Sequence, residues 1–169
     1  MVNKSHLTAI VRKDLSLPTK FLLERGYLKE DLLDYGCGRG GDVLILRNIY
    51  QINSFGYDPN LEKLGVYNKG LFDNNSTLFK RAKDCYNTIT CHYVLNVVLQ
   101  SEEKDILKHI QSYLKPNGNA YITCRADYKN CNGWTSKGTF QRKVELQLPL
   151  VMWKKNSWKM WRLTKNDSL

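Results

Sequence analysis

Residues 32–43 read Leu-Leu-Asp-Tyr-Gly-Cys-Gly-Arg-Gly-Gly-Asp-Val. Two leucines before an acid predict a buried strand ending near Asp34 and Tyr35. The glycines predict a tight turn, and Asp42-Val43 opens an apolar run with helical spacing. Gly36, Gly38, Gly40 and Gly41 lack a Cβ, so the backbone can take positive φ and approach a ligand closely. The first N–H groups of the following helix then face that ligand. Four glycines are a large entropic cost for a turn that holds nothing.

The glycines satisfy two patterns at once. Gly36, Gly38 and Gly41 fit G-x-G-x-x-G, the turn that sets a dinucleotide pyrophosphate on a helix end, as in a NAD-dependent enzyme. Asp34, Gly36, Gly38 and Gly40 fit D-x-G-x-G-x-G, which points to S-adenosylmethionine. Asp34 favours the second, because a carboxylate at the crevice end of a strand repels a pyrophosphate and attracts an ammonium. Ser54-Phe-Gly-Tyr-Asp58 predicts a second strand with its own terminal acid. Asp58 suits the ribose hydroxyls of either ligand and does not separate them.

Outward from the loop, residues 1–30 read as a helical cover or lid. One helix is expected around Leu7–Lys13 with Ser5 as its cap, and a second from Pro18 to Arg25, closed by Gly26. Residues 31–169 form the ligand-binding domain. Val43, Leu46 and Ile49 mark the inner face of the helix after the loop, and Leu61–Lys69 is expected to be the next, closed by Gly70. A third strand is placed at Thr77–Phe79. Tyr86–Val98 gives the fourth strand and its exit, Ser101 caps a helix over Glu102–Leu114, and Asn119–Cys124 follows a Pro116-Asn-Gly118 turn. Asp127–Gly138 reads as a polar loop, and Thr139–Leu148 alternates as a strand does. Leu150–Trp153 and Trp158–Leu163 flank a hairpin turn. The order implies a single α/β, Rossmann-like, doubly wound and mostly parallel sheet, with helices on both faces and the antiparallel hairpin at its edge.

Composition narrows the partners. The 169 residues are 42% hydrophobic and 25% charged, as in an ordinary soluble domain, and no apolar run reaches the length of a membrane span. Met1–His6 leads into no apolar segment, and five cysteines lack C-x-x-C spacing; free thiols in the cytoplasm are the expectation. No cluster has metal-ligand spacing, so no metal is expected. The net charge of +10 points to a polyanion, with nucleic acid (DNA or RNA) the expected partner. Trp153, Trp158 and Trp161 are read as cross-strand packing or as the contact of a hairpin-mediated dimer.

With Leu33-Asp-Tyr-Gly-Cys-Gly-Arg-Gly40 at the first strand and Asp58 after the second, the chain resembles class I S-adenosylmethionine-dependent methyltransferases. His6–Arg12, Leu15–Pro18, Asp34–Val43, Gly56–Asn60, Tyr93–Val97 and Gly138–Gln141 are similar to the methyltransferases associated with DNA phosphorothioation. The resemblance implies a methyl-donor site at Asp34, Gly36, Cys37, Gly38, Arg39, Asp58 and Pro59, and a link to nucleic-acid modification. It also implies that His6, Thr8 and Arg12 belong to a site. The chain departs from amino-methylating DNA enzymes, whose Asn-Pro-Pro-Tyr or Asp-Pro-Pro-Tyr is replaced by Cys91-His-Tyr-Val-Leu-Asn96. It has no Pro-Cys pair for covalent attack on cytosine.

Methyl transfer needs alignment of the acceptor and exclusion of water more than strong acid–base chemistry. His92 and Tyr93, at the crevice end of the fourth strand, are the candidate catalytic residues. Asn96 and Arg125, the latter with Gly138-Thr-Phe-Gln141, are candidates for the acceptor side with His6 and Arg12. Arg39 is a candidate for pairing with the donor carboxylate, Asp42 for capping its own helix, and Cys37 for packing.

Overall fold

The computed structural model describes residues 5–66, 70–127, 133–136 and 138–169. Five strands run parallel: β1 Leu32–Tyr35, β2 Ser54–Tyr57, β3 Phe72–Asp73, β4 Tyr86–His92 and β5 Leu114–Arg125. Two short strands, β6 Gly133–Trp134 and β7 Phe140–Gln141, pair antiparallel by themselves. The hairpin of β8 Leu150–Lys154 and β9 Trp158–Thr164 completes a seven-stranded sheet in the order β3-β2-β1-β4-β5-β9-β8. The helices are α1 Leu17–Glu24, α2 Gly41–Asn48, α3 Leu61–Leu64, α4 Asn75–Leu78 and α5 Gln100–Tyr113. The mostly parallel, doubly wound sheet and its edge hairpin are as the sequence implies.

Alternation along β5 and β9 separates two apolar layers. Ile122, Trp161 and Leu163 join Leu107, Ile110 and Tyr113 of α5 in one buried cluster. Tyr121, Trp158 and Met160 join Leu22 of α1 in another. Helices thus cover both faces. Strand order reverses between β1 and β4, so a crevice opens beyond their carboxyl ends, where ligands of such sheets sit.

Several local expectations are corrected. The N-terminal helix is a single 3-10 turn, Ser5–Thr8. In α2 only Asp42, Val43 and Leu46 are buried, while Ile49 is 67% exposed, beyond the reach of the sheet. Helix α3 ends at Leu64 because Gly65 turns left-handed at φ 70°; Tyr67–Lys69 of the longer helix expected there lie outside the described residues. The third strand is Phe72–Asp73, and Thr77 and Leu78 belong to α4, whose Asn74 cap accepts from the backbone N–H groups of Ser76 and Thr77. Helix α5 starts before Ser101, with Glu102 accepting the Leu99 N–H at 2.8 Å. The expected turn at Pro116–Gly118 is a register shift inside the long β5. Of Thr139–Leu148 only Phe140 and Gln141 form strand, and the preceding polar loop contains β6 (its residues 128–132 and 137 are not described). Trp158 and Trp161 are buried on opposite faces, whereas Trp153 is exposed beside Lys159.

Candidate active site

A cleft of about 820 Å³ occupies the crevice, a size suited to a nucleoside-bearing small molecule. All the residues expected at the donor and acceptor sites border it. The turn after β1 forms its floor. The N–H groups of Gly36 and Cys37 donate to the Tyr57 carbonyl at 2.7 and 2.9 Å, fixing the loop against β2. Glycine is required by geometry: a Cβ on Gly36 (φ 82°) would lie 2.3 Å from Val94, and one on Gly40 (φ 74°) 2.3 Å from the Phe72 ring.

Asp34 is buried and accepts from Thr90 Oγ1 at 2.8 Å. Burial first, and then the charges of Asp42 and Asp58, push its carboxyl up to about 7. Asp58 is likewise raised, chiefly by burial. Its two oxygens accept from the N–H groups of Gly38 (3.1 Å) and Asn60 (2.8 Å), so it braces the loop on which it faces the cleft. His6 stands close enough to favour its charge, and Pro59 continues the same wall. Asp34, with the charges of Asp42 and Asp58 acting on it, makes a place for a cation. A pyrophosphate would add negative charge there, so the dinucleotide reading does not fit.

One expected role is revised. Asp42 does not cap α2, whose N-cap is Gly40. Its oxygens accept instead from the Ser16 N–H (2.8 Å), Ser16 Oγ and Thr19 Oγ1. The glycine helix is thereby tied to the start of α1, and the N-terminal segment crosses the loop, with Ala9 against Gly38 and Arg12 against Gly41. Arg39 borders the cleft, and its Nη1 donates to the Leu64 carbonyl at 3.1 Å, which ties one arm of the guanidinium to the end of α3. Arg12 is the more central cation, its charge acting on Asp34, His92 and Tyr93.

On the acceptor side, His92 Nδ1 bonds Thr123 Oγ1 at 2.9 Å, and its Nε2 is buried without a partner among the described residues. Burial lowers its pKa to about 4, so the imidazole is neutral at physiological pH. Tyr93 holds φ 62°, an uncommon conformation for a non-glycine residue and one concentrated at functional sites. Burial pushes its phenol up to about 12, leaving it a proton donor. Arg125 forms a two-pronged pair with Asp127, which balances its charge at the cleft edge. Cys37 packs near Val43, Leu61 and Phe72; burial holds its thiol protonated and unreactive.

Tyr57 and Asn75, not anticipated there, also border the cleft, as does Gln141, which the sequence places on the acceptor side. Tyr57 donates to Asn75 Oδ1 at 2.5 Å, and Gln141 meets Asn96. Asp73, the acid at the end of β3, is paired with Arg81 and takes no part in the lining. Only the run Asn74-Asn75-Ser76-Thr77, rich in helix-capping residues, hinted at a turn there.

A family model described as a methyltransferase domain matches residues 7–166. The chain belongs to this methyltransferase family. No curated protein matches the chain. Among solved structures, this methyltransferase is similar to the PH0226 protein of Pyrococcus horikoshii OT3, at 14% identity and a TM-score of 0.64 over 85% of each chain. A SAM-dependent methyltransferase of Archaeoglobus fulgidus matches at 17% identity and a TM-score of 0.54, over 78% of this chain and 62% of that one; the chain therefore spans about three fifths of that protein's length. A structure described under the conversion of a disulfide bond into a thioacetal group during echinomycin biosynthesis matches at 14% identity and a TM-score of 0.59, over 90% and 82% of the two chains. These are likenesses of fold. The residues present fit S-adenosylmethionine: carboxylates that favour a cation line the cleft, and Asp58 faces it from the end of β2. No helix among the described residues is long and apolar enough to cross a membrane.

Proposed function

We propose that this methyltransferase modifies nucleic acid or a nucleotide-like acceptor, in the setting of DNA modification that its resemblance to the phosphorothioation-associated enzymes implies. The observation that carries the reading is charge beside the cleft. The protein bears a net +10, and the β8–β9 turn presents exposed Lys154 and Lys155 next to Asn156 and Ser157, which border the cavity. A polyanion is attracted to such a rim, and its phosphates position it there.

S-adenosylmethionine supplies a methyl group already activated by the sulfonium charge. Asp34 and Asp58 hold the cation and the ribose, and the N-terminal segment across Gly38 and Gly41 keeps water from the loop. With its Nδ1–H donating to Thr123 Oγ1, neutral His92 offers Nε2 as a hydrogen-bond acceptor where an acceptor proton must leave, and Tyr93 offers a donor.

The test is transfer of a labelled methyl group to DNA and RNA, with binding measured across salt concentrations. Label in polynucleotide and affinity that falls steeply with salt are expected. Donor binding without label in either polymer would overturn the acceptor assignment.

A further inference from the structure

We infer that Asn96 and Gln141 form a recognition pair for an exocyclic amine lying beside a ring nitrogen, the edge that adenine and cytosine present. The inference rests on the nucleic-acid reading above and names the chemical group within it.

Asn96 is 1% exposed, and its Nδ2 donates to Gln141 Oε1 at 3.2 Å. Its Oδ1 is buried with no partner among the described residues. A buried amide oxygen left unpaired is costly, so the site is built for a donor that arrives with a ligand. The pair is rigid. The Arg142 N–H donates to the Asn96 carbonyl at 2.9 Å, Arg142 Nε donates to the Val98 carbonyl at 3.0 Å, and its Nη2 pairs with Glu103. Asn96, Gln141 and His92 all border the cleft.

Joined in this way, the two carboxamides offer one acceptor and one donor side by side. The complement is an N–H next to a lone pair. Imide N–H groups of thymine and uracil share that pattern, but the reaction separates them. An imide must lose its proton before it can attack, and an imidazole held neutral by burial is too weak a base for that. An amine attacks while still protonated. The acceptor nitrogen's lone pair forms the N–C bond, the C–S bond breaks with its electron pair passing to sulfur, and the proton leaves the cationic product nitrogen for His92 Nε2 and then solvent.

The experiment uses the full chain with S-adenosylmethionine and oligonucleotides of defined base content, locating the methyl group by mass spectrometry, for wild type and Gln141→Glu. The variant can still accept from Asn96 Nδ2, so the fold is retained, but its second position accepts where wild type donates. Expected are methyl groups on exocyclic amines, none in thymine- or uracil-only strands, and a fall of about 10- to 100-fold in kcat/KM for the acceptor in Gln141→Glu at unchanged donor affinity. Methylation of thymine or uracil, of a ring nitrogen or oxygen, or full activity of Gln141→Glu would overturn this inference while leaving the nucleic-acid reading intact. Donor binding with no oligonucleotide methylated would overturn both.

Discussion

Replacing Asp34 by asparagine is expected to stabilise the ligand-free protein while weakening the methyl donor. In the folded chain burial and two neighbouring carboxylates raise Asp34 from an ordinary 3.8 to about 7. The folded state therefore binds more protons than the unfolded state between those values, so stability falls as pH rises through that window. At about 1.4 kcal/mol per pH unit the ceiling on this penalty is about 4 kcal/mol, reached above pH 7. Relaxation and water penetration reduce it, and about 1–2 kcal/mol is a reasonable expectation, or about 3–6 °C in a domain of this size. Asparagine keeps an acceptor for Thr90 Oγ1, which donates at 2.8 Å, and carries no charge. Melts of the two proteins should coincide near pH 4 and separate progressively to pH 8, with the variant higher. Calorimetry should show donor affinity at least about 10-fold weaker, since a partly buried cation loses its partner. Wild type should also release protons on binding near pH 7, and the variant should not. A variant no more stable than wild type at pH 8, or a gap that closes as pH rises, would refute this account of Asp34.

Asp58→Ala should weaken S-adenosylmethionine by about 10- to 100-fold, because the ribose loses its acceptor and Gly38 its brace at 3.1 Å; equal affinities by calorimetry would remove Asp58 from the donor site. Gly40→Ala sets a Cβ 2.3 Å from the Phe72 ring at φ 74°, and should cost about 1–3 kcal/mol in denaturant melts together with donor binding. With His92 lowered to about 4 by burial, the rate at saturating donor should carry no His92 inflection between pH 5.5 and 8. An inflection near 6.5 that His92→Gln abolishes would show that the imidazole ionises there. Ser16→Ala with Thr19→Val removes two of the donors to Asp42 and should expose the chain near Arg12 to proteolysis faster than wild type.

The donor half of the site was legible because its determinants are local. The strand, the four glycines and the acids at the ends of β1 and β2 sit in short stretches whose backbone needs are fixed by residue type, and Asp34, Gly36, Gly38, Gly41 and Asp58 border the cleft. What escaped was set by distant partners. Asp42 had the position of a helix cap, yet α1 folds back so that Ser16 and Thr19 take its oxygens across 26 and 23 residues. Arg39 had the place of an anion ligand, and its tie to a carbonyl at the end of α3 was not legible. The third strand is two residues long and follows a glycine-rich approach, too short for alternation to show. Gln141 illustrates the same limit on the acceptor side. Its significance comes from Asn96, 45 residues earlier, and from Arg142 clamping the pair, a relation that no periodicity records. A cleft floor built on one turn is therefore readable from sequence, whereas the pairings among residues from the exit of β4, the strand β7 and the N-terminal segment become visible only when the chain has brought them together.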